Sequence, residues 1–126
     1  MVKNGGLRTK GVRKQSSPDR PLVSIITVVL NGERFLAECI QSVISQDYDN
    51  LEYIIVDGGS RDGTLDIIRH YEDRIDYWLS EPDEGLYDAL NKGVKLSNGD
   101  IFSALHADDA YYNQTVINRV ATEFMS

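Results

Sequence analysis

Four times between residues 23 and 124, a short apolar run stops at a polar residue and a helical pattern takes over. Nothing else in the chain restricts the fold as strongly. Strands and helices alternating through short connections predict an α/β architecture: parallel strands in one sheet, right-handed crossovers, helices on both faces. Residues 23–30 form the first strand pattern, ended by Asn31-Gly32. Phe35, Leu36, Cys39, Ile40, Val43 and Ile44 recur at helical spacing and predict a helix over 33–45. Residues 51–56 read as the second strand, stopped by Asp57-Gly58-Gly59. A short helix over 65–71 follows, with Ser60, Asp62 and Thr64 as candidate caps. The third strand is expected at 75–80 and its helix at 86–96, closed by Asn98-Gly99. Residues 101–105 complete the strands, and a last helix carries Val116, Ile117, Val120, Ala121 and Phe124 behind an Asn113 cap. Cys39 falls on an apolar stripe and reads as a buried, inert thiol.

The polar residues gather where the strands stop. Asn31 follows the first, Asp57 the second, Glu81 and Asp83 the third, and His106, Asp108 and Asp109 the fourth. Ligands of open α/β sheets bind outside the carboxyl ends of the strands, near the point where strand order reverses. A rim of acids at that end is therefore a candidate site.

Charge narrows the ligand. Residues 1–20 hold six bases against the single acid Asp19, while the remainder holds nineteen acids against seven bases. Glycines, serines and a proline accompany the basic stretch, so 1–20 is expected to be a disordered tail and 21–126 the folded domain. The tail reads as a solvated leader, although it could touch anionic lipid or a partner. An acidic body argues against nucleic acid as a partner, since phosphate contacts need a basic face. It suits a divalent cation, which offsets repulsion between clustered carboxylates. No run approaches the ~18 apolar residues of a membrane span, and the N-terminus has no apolar signal stretch. One cysteine excludes an internal disulfide. These features point to a cytoplasmic location, at the inner membrane surface if the tail engages lipid.

Two segments carry chemistry. In Asp57-Gly58-Gly59-Ser60-Arg61-Asp62-Gly63-Thr64 the glycines permit a tight turn and close approach of a ligand. Asp57 is placed to accept hydrogen bonds from a base or sugar, while Asp62 and Thr64 read as helix caps. The segment fits neither the P-loop nor the dinucleotide-binding pattern. In Ala107-Asp108-Asp109 the adjacent carboxylates repel each other unless a cation or donors intervene. They could hold a metal on a diphosphate, or face water and favour the start of the next helix. His106 could contact phosphate; His70 reads as a helix-end cation, and Tyr77 and Trp78 as core.

The segments from Val23 to Asn31, Tyr53 to Thr64 and Ser80 to Gly93, followed by Gly99-Asp100 and Ala107-Asp108-Asp109, together resemble the family 2 glycosyltransferases in order and spacing. The resemblance implies a GT-A, Rossmann-like fold: an open, mostly parallel sheet of order 3-2-1-4. It implies that Asp57 contacts the nucleotide base, with Leu30, Asn31 and Gly58 beside it. It places Asp108 on the ribose and metal, and Asp109 as the principal ligand of Mn²⁺ or Mg²⁺. Asp88, Asn91 and Lys92 would lie near the donor phosphates or sugar. The implied reaction is inverting transfer from a nucleoside-diphosphate sugar, a UDP-sugar favoured, to a hydroxyl of a saccharide or lipid-linked acceptor in polysaccharide synthesis. Leu30 stands where the family often has an aromatic residue. The family's acceptor half and catalytic base are expected to be missing, supplied by further chain or a partner. Two alternatives are a non-catalytic nucleotide-binding or regulatory module and a receiver-like phospho-acceptor domain. Against the latter, the first strand ends without an acid pair and no late strand ends in Lys.

Overall fold

The computed structural model describes residues 2–125. Its sheet has five strands in the order β1-β4-β3-β2-β5: β1 is Lys3–Gly5, β2 Val23–Val29, β3 Leu51–Asp57, β4 Tyr77–Ser80 and β5 Ile101–Ala104. The helices α1 (Leu36–Ile44), α2 (Thr64–His70), α3 (Leu86–Leu96) and α4 (Val116–Met125) follow β2 to β5 in turn. The pairs β2–β3, β3–β4 and β2–β5 are all parallel. The four expected strands thus take the expected order, and β2 lies between β3 on one side and β5 on the other.

The period of two along each strand sorts side chains between two cores. Val23, Ile25 and Val29 of β2 and Tyr53 and Ile55 of β3 pack with Leu36, Cys39, Ile40 and Val43 of α1, Ile68 of α2 and Ile117 and Ala121 of α4. Ile26, Val28, Ile54 and Val56 point the other way, against Ala89 of α3. Both faces are covered, which is why these strands read as unbroken apolar runs. Cys39 is fully buried, and that burial pushes its thiol pKa up, as expected of an inert side chain.

One glycine sets how closely α3 lies on the sheet. A Cβ on Gly93 would stand 2.3 Å from Ile26 Cγ2, far inside contact distance. Gly93→Ala gains about 1 kcal/mol of helix propensity but must push α3 off β2. The net expectation is a loss of about 1–2 kcal/mol, read as a lower urea midpoint with an unchanged slope. A midpoint at or above wild type would mean that the helix shifts freely.

The N-terminal segment corrects an expectation. Residues 2–20 are an ordered part of the domain. β1 adds antiparallel to the β4 edge, with Lys3 opposite Ser80 and Gly5 opposite Trp78, and Leu7–Lys10 forms a 3₁₀ turn. Arg8 Nη2 lies 2.7 Å from Glu52 Oε2. Lys14 Nζ lies 3.1 Å from Asp76 Oδ2 and donates to the Leu51 carbonyl at 2.6 Å. Lys10 faces Asp73, and Arg20 pairs with Asp49. Four of the six bases of this stretch therefore meet acids of the body within one molecule. Composition along the chain could not reveal this, because the partner acids lie 29 to 63 positions away in sequence while composition is read locally.

Glu52 is the hub of that arrangement. It is 1% exposed and accepts from Arg8, from Ser24 Oγ at 2.8 Å and from the Asn98 N–H at 2.8 Å. Burial works against its charge, but the Asn98, Arg8 and Ser24 hydrogen bonds outweigh burial and hold its pKa below the ordinary value. Asp76 shows the opposite balance: burial wins over the Tyr53 N–H and Lys14, and its pKa is raised.

Candidate functional site

Two loops at the carboxyl end of the sheet are stitched together side by side. Asn31, two residues past the end of β2, lies in the left-handed region, with φ of 51°, and its Oδ1 accepts from the Arg61 N–H at 2.8 Å. The Asn31 N–H donates to Ser60 Oγ, the Gly32 N–H to Thr64 Oγ1 and the Gly63 N–H to Glu33 Oε2, at 2.7, 2.9 and 3.0 Å. Asp57 closes the seam from below. Its Oδ2 accepts from the Gly59 N–H at 3.2 Å, the Ser60 N–H at 3.0 Å and Ser80 Oγ at 2.7 Å. Its Oδ1 accepts from Ser60 Oγ. The residue is 0% exposed. The expected role of Asp57 was contact with a base; here both oxygens hold the 58–60 turn and its surface is covered. Asn31 also braces the neighbouring loop through its Oδ1, but unlike Asp57 it is exposed.

Above this seam runs a cleft with three connected lobes, each bordered by Val28 and His106. One, of about 130 Å³, has Asp83 and Leu30 in its wall. A second, of about 250 Å³, runs between α3 and β5 and includes Leu86, Leu90 and Asp109. The third, of about 220 Å³, includes Leu30, Asn31, Phe35 and Asp108. Leu30 is 60% exposed, an apolar side chain presented to whatever enters. Asp108 and Asp109 sit on a turn after β5, closed by the Asp109 N–H donating to the His106 carbonyl at 2.9 Å. His106 Nδ1 lies 3.4 Å from Asp108 Oδ1.

Of the expected residues, Asp88, Asn91 and Lys92 lie outside these lobes, as Asp57 and Gly58 do. Lys92 Nζ is 3.1 Å from Glu81 Oε1 and 3.5 Å from Asp88 Oδ2. Asp88 Oδ2 accepts the Glu84 N–H at 2.9 Å, and that N–H together with Lys92 holds its carboxyl below the ordinary range. Asp88 and Lys92 thus brace the 81–85 loop, while Asn91 is exposed on α3. The residue that sequence reasoning left unassigned is Asp83, which that braced loop carries into the cleft. The available signal was its position just after a strand.

Among the described residues, neither Asp108 nor Asp109 pairs with Lys or Arg, and no three His, Cys, Asp or Glu side chains come together as a metal cage. Two adjacent, exposed, uncompensated carboxylates do fit a hard divalent cation whose remaining ligands come from a diphosphate and water.

A family model described as glycosyl transferase family 2 matches residues 24–124. The chain belongs to glycosyl transferase family 2. An uncharacterised glycosyltransferase of Rickettsia typhi is 42% identical over 100 residues, covering 79% of this chain and 31% of that protein. A PGL/p-HBAD biosynthesis glycosyltransferase of Mycobacterium bovis is 38% identical over 104 residues, 80% of this chain and 41% of that protein. The chain thus spans between about a third and two fifths of these family 2 relatives. Among solved structures, a mannosyltransferase from Pyrobaculum calidifontis in complex with GDP-Man and Mn²⁺ superposes with a TM-score of 0.73 at 25% identity, over 88% of this chain and 35% of that one. S. aureus TarS in complex with UDP-GlcNAc gives 0.72 at 24% identity, over 80% and 30%. The family 2 fold is the GT-A fold expected from the motifs, with β1 as an additional antiparallel edge.

Proposed function

We propose that this domain binds a nucleoside-diphosphate sugar in the cleft above β2 and presents it for inverting transfer to an acceptor hydroxyl. The observation that carries this reading is the cleft itself. Its lobes are lined by an exposed apolar side chain, Leu30, and by the carboxylates Asp83, Asp108 and Asp109, none of which pairs with Lys or Arg among the described residues. A base needs an apolar surface with one or two polar contacts, and a diphosphate needs compensation of its charge. The Pyrobaculum mannosyltransferase that shares the fold was solved with GDP-Man and Mn²⁺, which supports both halves of the reading.

Asp109, with Asp108 beside it, would hold a Mn²⁺ or Mg²⁺ ion, which when bound neutralises charge on the departing nucleoside diphosphate. The chain's own residues then do the positioning. The 31–33 and 57–64 loops, locked together by Asn31 and Asp57, form a rigid floor that costs little ordering on binding. Glu81, Asp88 and Lys92 fix the loop that carries Asp83. His106, beside Asp108, is placed to meet a phosphate oxygen. A saccharide or lipid-linked acceptor and the base that activates its hydroxyl belong to the remainder of a transferase of the relatives' length. Polysaccharide synthesis, and work on the cytoplasmic side of a membrane, are the settings this reading favours; among the described residues no helix is long and apolar enough to cross a bilayer.

Calorimetric titration with UDP and GDP tests the proposal directly. Binding is expected in the presence of Mn²⁺ and at least about tenfold weaker, or about 1.4 kcal/mol less favourable, with EDTA. A well-folded protein that binds neither nucleotide under either condition would overturn it.

A further inference from the structure

The buried state of Asp57 leaves the question of what reads the base. The geometry points to Asp83 as the residue that selects the nucleobase, by accepting a hydrogen bond from a ring N–H. This deepens the nucleotide-binding reading above and rests on it.

Three observations lead there. Asp57 is 0% exposed and its two oxygens already accept hydrogen bonds from Gly59, Ser60 and Ser80. The next residue, Gly58, has no side chain, and the space that one would fill is held by Asp83: a Cβ on Gly58 would lie 2.8 Å from Asp83 Oδ2 and 3.1 Å from Oδ1. The same carboxylate borders the lobe that contains Leu30. Asp83 Oδ1 accepts the Gly85 N–H at 3.0 Å, which anchors the side chain. Among the described residues no donor is given to Oδ2. A glycine at 58 and a carboxylate at 83 therefore work as a pair: the first opens the space and the second enters it from the neighbouring loop. Glu81, Asp88 and Lys92 hold that loop in place.

A carboxylate is an acceptor only. Uracil and guanine present a ring N–H on their pairing edge and can donate to it. Cytosine and adenine present a lone pair at the corresponding nitrogen, which the carboxylate repels. The expected ligands are thus the nucleoside diphosphates of the keto bases, a selection that Leu30 cannot make because an apolar surface accepts any ring. Asp83 acts on specificity, while Asp108 and Asp109 meet the diphosphate.

The test compares UDP, GDP, CDP and ADP by calorimetry with Mn²⁺ present, on the whole 126-residue chain. Wild type is expected to favour UDP or GDP over CDP and ADP by about tenfold or more, the scale of one hydrogen bond to a charged group. Asp83→Ala should bring the four nucleotides to similar affinity with the melting temperature unchanged. Asp83→Asn is the sharper probe, because an amide can either accept from uracil or turn and donate to cytosine. It should bind CDP more tightly than wild type does, which a merely structural side chain would not produce. Gly58→Ala, which crowds Asp83 out of its place, should weaken the preference as Asp83→Ala does. A wild-type preference that survives Asp83→Ala and Asp83→Asn overturns this inference while leaving nucleotide binding intact. Equal binding of all four by wild type does the same. Failure of every nucleotide to bind overturns the underlying reading, and this one with it.

Discussion

Asp109→Ala is expected to remove most of the metal-dependent affinity for UDP, a loss on the order of 100-fold or about 2.7 kcal/mol. The reason is the isolation of the acid pair. Asp108 and Asp109 have no Lys or Arg partner among the described residues, so in the absence of a cation they repel both each other and an incoming diphosphate. Removing Asp109 leaves one carboxylate, which binds a hard cation poorly without a second. Titrations with Mn²⁺ and with EDTA separate the effects: the variant should lose affinity in the first and stay unchanged or improve slightly in the second. Equal affinity of variant and wild type with Mn²⁺ would show that the pair merely faces water at the turn before α4.

Arg8→Ala should produce the largest loss of stability, about 3–5 kcal/mol, because it strips a buried carboxylate of its cation. Glu52 is 1% exposed and joins the N-terminal segment to β2 through Ser24 and to the approach of β5 through Asn98. Urea unfolding gives the magnitude. Its pH dependence identifies the cause. The folded pKa of Glu52 is lowered, so the unfolded chain holds the proton more tightly. The stabilisation is complete above the ordinary glutamate pKa of about 4.3 and is lost as pH falls through and below it toward the folded value. Arg8→Ala should flatten that acid limb. A loss of less than about 1 kcal/mol, typical of a surface ion pair, would mean that the N-terminal segment is only loosely attached.

Much of the fold was legible because the signals that specify it are local. The 23–30 and 51–56 runs are β-branched and end in Asn31-Gly32 and Asp57-Gly58, and both became strands at nearly those bounds. Helix α3 was placed at its observed limits by its own spacing and its stop. The N-terminal strand was missed because Lys3, Asn4 and Gly5 carry no β signal of their own. They extend because the open β4 edge offers unpaired backbone groups to pair with.

The site was legible as a set, but not the burial of its parts. Asp57, Asp83, Asp108 and Asp109 all reach the rim end of the sheet, as their positions after strands required. Which acid faces the cleft depends on burial. Asp57 sits deep because β3 lies between β2 and β4, so that Ser80 of β4 and the turn at Gly59 and Ser60 close over it. Asp83 lies farther out on a loop that follows an inner strand, and nothing in its local sequence separates it from Glu81 or Glu84.

By itself the sequence determined the alternation of strand and helix, the end of the sheet where a ligand would meet polar residues, and family 2 membership. Hydrophobic period and turn chemistry are properties of neighbouring residues, and they survive in any context that lets the chain collapse. Only the tertiary structure decided that the basic N-terminus is the counter-charge of buried acids, that Asp57 is a brace, and that Asp83 takes the space left by Gly58. Each of these depends on groups distant in the chain meeting at a few ångströms, where charge, hydrogen bonding and excluded volume act, and no local pattern encodes that distance.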